Sequence, residues 1–164
     1  MNIKYMIKKV ININSLNEIN EKDITNSIIY INIDSGCLIP EYLIAQVYNN
    51  NPFIRNKIIK NTNKIKFNYT DKLIPTRHNF NNFIKFLETR AKDIYYVTKD
   101  ENIDSHKIKN NLDEFSIPIK KIININKINV LNEYHNKIVY IDSKVENLSF
   151  NTYKLKIYKL NIFN

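Results

Sequence analysis

Four short apolar runs rich in β-branched and aromatic residues punctuate the chain: IIYINI at 28–33, IYYV at 94–97, IPIKKIINI at 117–125 and KIVYI at 137–141. The first, second and fourth hardly alternate, which is how strands buried on both faces of a parallel sheet read. Between the runs the period becomes helical. Phe80, Phe83, Ile84, Leu87 and Ala91 fall at i, i+3, i+4, i+7 and i+11, one stripe of an amphipathic helix. Ile108, Leu112 and Phe115 repeat the pattern more sparsely. Leu43, Ile44, Val47 and Tyr48 predict a short helix after the first strand, with Pro40 near its first turn. The tail TYKLKIYKLNIF alternates at period two, which predicts a half-buried strand whose lysines snorkel to water. A nucleic-acid-binding strand is the other reading of that tail.

Strands alternating with helices predict an α/β fold: a three-layer, Rossmann-like, mostly parallel sheet with helices on both faces and small β elements near the N-terminus. The Asn-rich patches NNNP (49–52) and NKINVLN (126–132) separate periodic segments of ordinary length and read as loops and caps. No period of about 20 to 50 residues recurs, so a solenoid is not indicated. One domain over residues 1–164 is expected. Ligands of such folds bind at the carboxyl ends of the strands. The polar residues there are Asn32, Asp34 and Ser35 after the first run, Thr98, Lys99 and Asp100 after the second, and Asp142 and Ser143 after the fourth.

Composition changes the picture in two ways. A hydrophobic fraction of 43%, with eleven Tyr and eight Phe, suffices for a buried core. The net charge of +9 points to an anionic partner such as nucleic acid or a membrane surface. Of the 25 basic residues, however, only Arg55, Arg77 and Arg90 are arginine, and Asn and Ile abound with the lysines. An A/T-rich coding sequence, as in large DNA viruses and some parasites, produces this bias, whereas dedicated phosphate readers favour the Arg fork. The single cysteine, Cys37, excludes an internal disulfide and a Cys-rich zinc site, and reads as a buried apolar thiol. His78, His106 and His135 lack metal-ligand spacing. The first residues lack the apolar core of a signal peptide, and no run approaches the roughly 18 apolar residues of a membrane span. A soluble intracellular protein, cytoplasmic or nuclear and without membrane contact, is the expectation.

Motifs at the strand ends carry a resemblance. IIYINIDSGCLI resembles the first motif of the haloacid dehalogenase (HAD) superfamily, an apolar strand running into Asp-x-Asp-x-Thr. RHNFNNFIKFLETRAKDIYYVTKDENIDSHKIKNNLDEF resembles a segment of that superfamily's RNA-polymerase C-terminal-domain phosphatase branch, the NIF-like domain: a helix, a strand ending in Tyr-Thr, and a helix ending in Leu-Asp. NKINVLNEYHNKIVYIDSKVENLSFNTYKLKIYKLNIF is similar to the branch's closing block. Together they cover about residues 26–162.

What the resemblance implies, residue by residue, is a broken site. The nucleophile position, an aspartate that forms an aspartyl phosphate, falls on Asn32, whose amide oxygen carries no charge. Asp34 matches the general acid and base. Gly36, the only glycine, replaces the threonine of the motif and is read as a turn with positive φ or close ligand approach. Thr98 matches the phosphate-orienting hydroxyl, and either Lys127 or Lys121 the lysine. Asp34 and Asp142 match the metal-binding acids, with weakened Mg²⁺ binding, and Ser143 stands where the branch often has a second Asp or Asn. The implied function is a catalytically degenerate phosphatase domain that binds or scaffolds a protein partner. The alternatives are a weak Mg²⁺-dependent phosphoserine phosphatase and a basic factor associated with nucleic acid or transcription.

Overall fold

The computed structural model describes residues 10–33, 38–40, 73–75, 80–99, 105–128, 136–143 and 154–160. In chain order its elements are β1 (Val10–Ile13), a 3-10 turn (Leu16–Glu18), α1 (Glu21–Ile24), β2 (Ile28–Asn32), β3 (Leu38–Pro40), β4 (Leu73–Pro75), α2 (Phe80–Arg90), β5 (Asp93–Thr98), α3 (Ser105–Glu114), β6 (Lys121–Asn124), a second 3-10 turn (Ile125–Lys127), β7 (Lys137–Asp142) and β8 (Lys154–Leu160). Six strands form one sheet in the order β1-β8-β7-β2-β5-β6, and every neighbouring pair is parallel. This is an α/β fold.

The near-continuous apolar runs became strands with both faces covered. One face carries Ile29, Ile31, Ile94, Tyr96, Val139, Ile141, Tyr158 and Leu160. Against it pack Phe80, Phe83, Ile84 and Leu87 of α2, Ile108 and Leu112 of α3, and Leu16, Ile19 and Ile24 from the segment between β1 and β2. The other face carries Ile28, Tyr30, Val97, Ile123, Ile138, Tyr140 and Ile157, joined by Ile125 and Ile128 from beyond β6. The predicted helical stripes thus match α2 and α3, and both helices lie on the first face.

This division follows from chain direction. From β1 to β2, β5 and β6 the chain crosses the sheet one way, with its connections on the first face. Then it turns back to fill the gap between β1 and β2 with β7 and β8. Right-handed crossovers require such a reversal to change face, and Ile125 and Ile128 begin the return on the second face.

Pro40, expected near the first turn of a helix over 43–48, ends β3, which pairs antiparallel with β4 so that Leu38 meets Pro75 and Pro40 meets Leu73; that helix lies outside the described residues. Two sequence expectations are changed. The tail strand is not half-buried: β8 sits inside the sheet between β1 and β7, so the adjacent Ile157 and Tyr158 are both buried. Of the run 117–125 only Lys121–Asn124 is strand, because residues before it finish the turn out of α3.

That turn is a left-handed helix stop. The Ile117 N–H bonds to the Leu112 carbonyl at 2.9 Å and the Ser116 N–H to the Asp113 carbonyl at 3.0 Å, with Ser116 at φ 56°. The pattern is a Schellman motif, whose positive-φ residue is usually Gly. Ser116→Gly should therefore raise stability by about 0.5–1 kcal/mol, read as a higher midpoint in urea unfolding with unchanged slope.

Tyr158 ties an interior strand of the sheet to the segment that covers it. Its hydroxyl donates to Asp23 Oδ2 at 2.5 Å and accepts from the Asn20 N–H at 3.3 Å. Burial, then the hydrogen bond to Asp23, pushes the phenol up to about 12. A raised folded value means stability that is complete below the unfolded value, near pH 10, and lost as pH climbs through the folded one. Tyr158→Phe should cost about 1–2 kcal/mol at neutral pH, and this cost should shrink between about pH 10 and pH 12; urea titrations of both proteins across that range check it.

Candidate functional site

Connections leave β2 towards β5 and leave β7 towards β8, in opposite directions along the sheet. In open α/β sheets such a switch point is where ligands bind, in a crevice outside the carboxyl ends of the two strands.

The residues at this rim are unusual for their burial. Among the described residues the buried polar or charged side chains are Ser27, Asn32, Thr98 and Asp142. Three of the four end the adjacent strands β2, β5 and β7. The register sets Ile31 beside Ile141, so one step further Asn32 lies beside Asp142 at the strand spacing of about 4.8 Å. Strand alternation puts both on the second face, with Tyr30 and Tyr140.

Asp142 is 2% exposed, so its carboxylate must be satisfied from within the protein. The Tyr140 hydroxyl donates to Oδ2 at 2.7 Å, and the Lys99 ammonium pairs with the same oxygen at 3.2 Å. The pair is asymmetric: the carboxylate is buried, while the Lys99 side chain is 39% exposed and borders the solvent. Beneath the rim, Tyr140, Tyr30 and Tyr95 stand in a row across β7, β2 and β5. The rings of Tyr30 and Tyr95 stack at 5.4 Å and 23°. A hydrogen bond with Asp93, then burial and the Asp93 charge, pushes the Tyr95 phenol up to about 12. Tyr95 is therefore a neutral part of the floor at any physiological pH.

The structure brings together Asn32 and Asp142 of the predicted site and adds Lys99. Thr98 shares the rim, but alternation along β5 places it with Ile94 and Tyr96 on the opposite face. Lys127 is exposed in the 3-10 turn after β6, and β6 lies three spacings, or about 14 Å, from β7. Lys121 begins β6, level with Tyr95 and three residues before the strand's end. Ser143 is half-buried just beyond β7. His106 is exposed on α3. Asp34, Ser35, Gly36, Cys37, His78, Asp100 and His135 lie outside the described residues.

Sequence reasoning gave no site role to Tyr140 or to Lys99 in particular. A signal existed for both: period two puts Tyr140 and Asp142 on one face of β7, and Lys99 continues the face of Tyr95 and Val97.

Mg²⁺, which the resemblance implies, dehydrates reluctantly and needs anionic oxygens. Asn32 offers an uncharged amide oxygen, and the Asp142 carboxylate is already held by an ammonium and a phenol. Among the described residues this donor set does not fit Mg²⁺. Chemically the rim offers a neutral amide and a compensated carboxylate, and neither is a charged nucleophile.

Searches of protein-family models, of curated proteins and of solved structures find no match to this chain. What fold and rim define is a parallel α/β protein with a half-buried ion pair at its switch point. Among the described residues no helix is long and apolar enough to cross a membrane.

The pair's energetics are open to measurement. Lys99→Met strips the buried carboxylate of its cation and should destabilise by about 1–3 kcal/mol, towards the lower end because the ammonium is partly solvated. Adding Asp142→Asn removes the uncompensated charge and should recover part of that loss. A double-mutant cycle by urea unfolding should return a coupling of about 0.5 kcal/mol or more between the two positions.

Proposed function

We propose that this chain is a catalytically degenerate phosphatase-like domain of the haloacid dehalogenase superfamily, in the branch of the RNA-polymerase C-terminal-domain phosphatases, which serves as a binding or scaffolding module for a protein partner. The motifs of the sequence, in their order, support the family. The crevice between β2 and β7 supports the location, since the motif residues Asn32 and Asp142 flank it.

The observation that carries the loss of catalysis is Asn32 itself. It is 1% exposed at the end of the central strand, beside Asp142, where the resemblance implies the nucleophile. Forming an acyl phosphate requires a carboxylate oxygen that attacks phosphorus while the leaving group departs. A neutral amide attacks poorly and brings no charge to balance a metal. Thr98, turned to the opposite face, further weakens the case for turnover. A second layer of helices on the β7 side of the sheet, which the family fold requires, belongs to the same proposal.

Purified protein should hydrolyse a small aryl phosphate in the presence of Mg²⁺ no faster than its own Asn32→Ala variant. Turnover present in the parent and lost in Asn32→Ala or Asp34→Ala overturns the reading in favour of a working phosphatase. The variants also exclude a contaminating activity, which they would leave unchanged.

A further inference from the structure

We propose that Lys99 is a built-in cation that occupies the place of a divalent metal, and that the crevice between β2 and β7 is a metal-independent site. This rests on the proposed phosphatase ancestry only in so far as that ancestry leads one to expect a metal there. The ion pair itself is a fact of the fold.

Three observations converge. First, the Lys99 ammonium sits 3.2 Å from Oδ2 of Asp142, the acid that the family reading gives to the metal. Second, Lys99 follows the last residue of β5, and β5 and β7 flank β2 on opposite sides. Two strand spacings, about 10 Å, separate them, so the Lys99 side chain crosses the carboxyl end of β2 to reach Asp142. It passes over the strand end where Asn32 lies. Third, the neighbour that would add negative charge there is the neutral Asn32.

Charge balance gives the same answer. The Lys99 ammonium offsets the Asp142 carboxylate, and the Asn32 amide beside it adds no charge. The electrostatic task of the metal is thus met by a tethered group, with no ion to dehydrate. A bound Mg²⁺ would have to displace Lys99 from Asp142 and meet the repulsion of the ammonium it displaced, with only an amide oxygen from Asn32 in return.

The test is thermal unfolding of the full chain in MgCl₂ or MnCl₂, against NaCl of equal ionic strength. The parent should show the same Tm in all three, and so should Lys99→Arg, which keeps the charge. The double change Lys99→Met with Asn32→Asp supplies carboxylates and removes the cation. Its Tm should rise by about 2–4 °C or more once the divalent ion exceeds its Kd several-fold. A divalent-specific rise in the parent that Asp142→Asn abolishes overturns the inference. So does a folded double variant that ignores both ions.

If the double variant is unfolded in NaCl, its refolding on addition of Mg²⁺ supports the inference. If it stays unfolded, Mn²⁺ binding to Lys99→Met and to the parent, read by electron paramagnetic resonance, decides. Bound Mn²⁺ in the variant alone supports the proposal, and equal behaviour of the two overturns it. Hydrolysis measured on the same samples separates the two readings. Turnover lost in Asn32→Ala sinks the proposed function, whereas a metal response in a parent without turnover sinks only this inference.

Discussion

A strand paired on both edges and covered on both faces has nowhere to put a polar side chain except at its ends, since burying an unsatisfied polar group costs several kcal/mol. β2 is such a strand: all five of its residues are buried, it pairs with β5 and β7, and its alternate residues enter two separate apolar clusters. Its neighbours obey the same constraint. β5 and β7 begin on Asp93 and Lys137 at one edge, and at the other the three strands end on the buried polar residues Asn32, Thr98 and Asp142. The reversal of chain direction then determines which of those ends lie at the switch point. Site and core are consequences of one arrangement: the strands central enough to be apolar throughout are the strands whose ends meet at the switch point.

The same physics decides what could be read before the structure was known. β2, β5 and β7 announced themselves because double-faced burial leaves unbroken apolar runs, and α2 and α3 because one-faced burial leaves a stripe. β8 was legible as a strand but not as an interior one, since its lysines suggested a solvated face. Its position depends on β1, a four-residue segment at the far end of the chain, pairing with it. In the site, Asn32 and Asp142 were legible from the motif, but the site lysine was sought by its order along the chain. Lys99 and Asp142 lie 43 residues apart, and only the strand order, with β2 between them, makes them partners. Pairings of that kind are set by topology, which no local pattern contains.

Biased composition has been absorbed into ordinary structural tasks. Asn20 and Asn124 cap helical turns by accepting the backbone N–H groups of Lys22 and Asn126 at 3.0 and 2.9 Å. Asn26 and Ser116 take the positive φ angles that glycine takes in most chains. Lys137 spends its ammonium on the carbonyls of Lys22 and Thr25, closing the exit of α1 where the helix end leaves acceptors unsatisfied. Among the described residues most lysines do local work of this kind or face water. Net charge is a weak guide to partners in such a chain, and position is a better one.

Position is what separates Lys99 from the other lysines. An exposed lysine changes little beyond the net charge, but one that ends on a carboxylate of 2% exposure offsets a buried charge. Asn32 and Lys99 must then be considered together. An aspartate at position 32 beside Asp142, with the lysine absent, sets two carboxylates about 4.8 Å apart, an arrangement that a divalent ion relieves. With the lysine present, the aspartate would compete with Asp142 for a single ammonium, and one carboxylate would be left uncompensated in a buried place. With the amide present and the lysine absent, Asp142 would lose the ammonium that offsets its charge. At these positions the two balanced states are two acids with a metal, or one acid with an amide and a lysine. Intermediate combinations leave a buried charge, so the neutral residue at the nucleophile position and the cation at the end of β5 are two halves of one electrostatic solution.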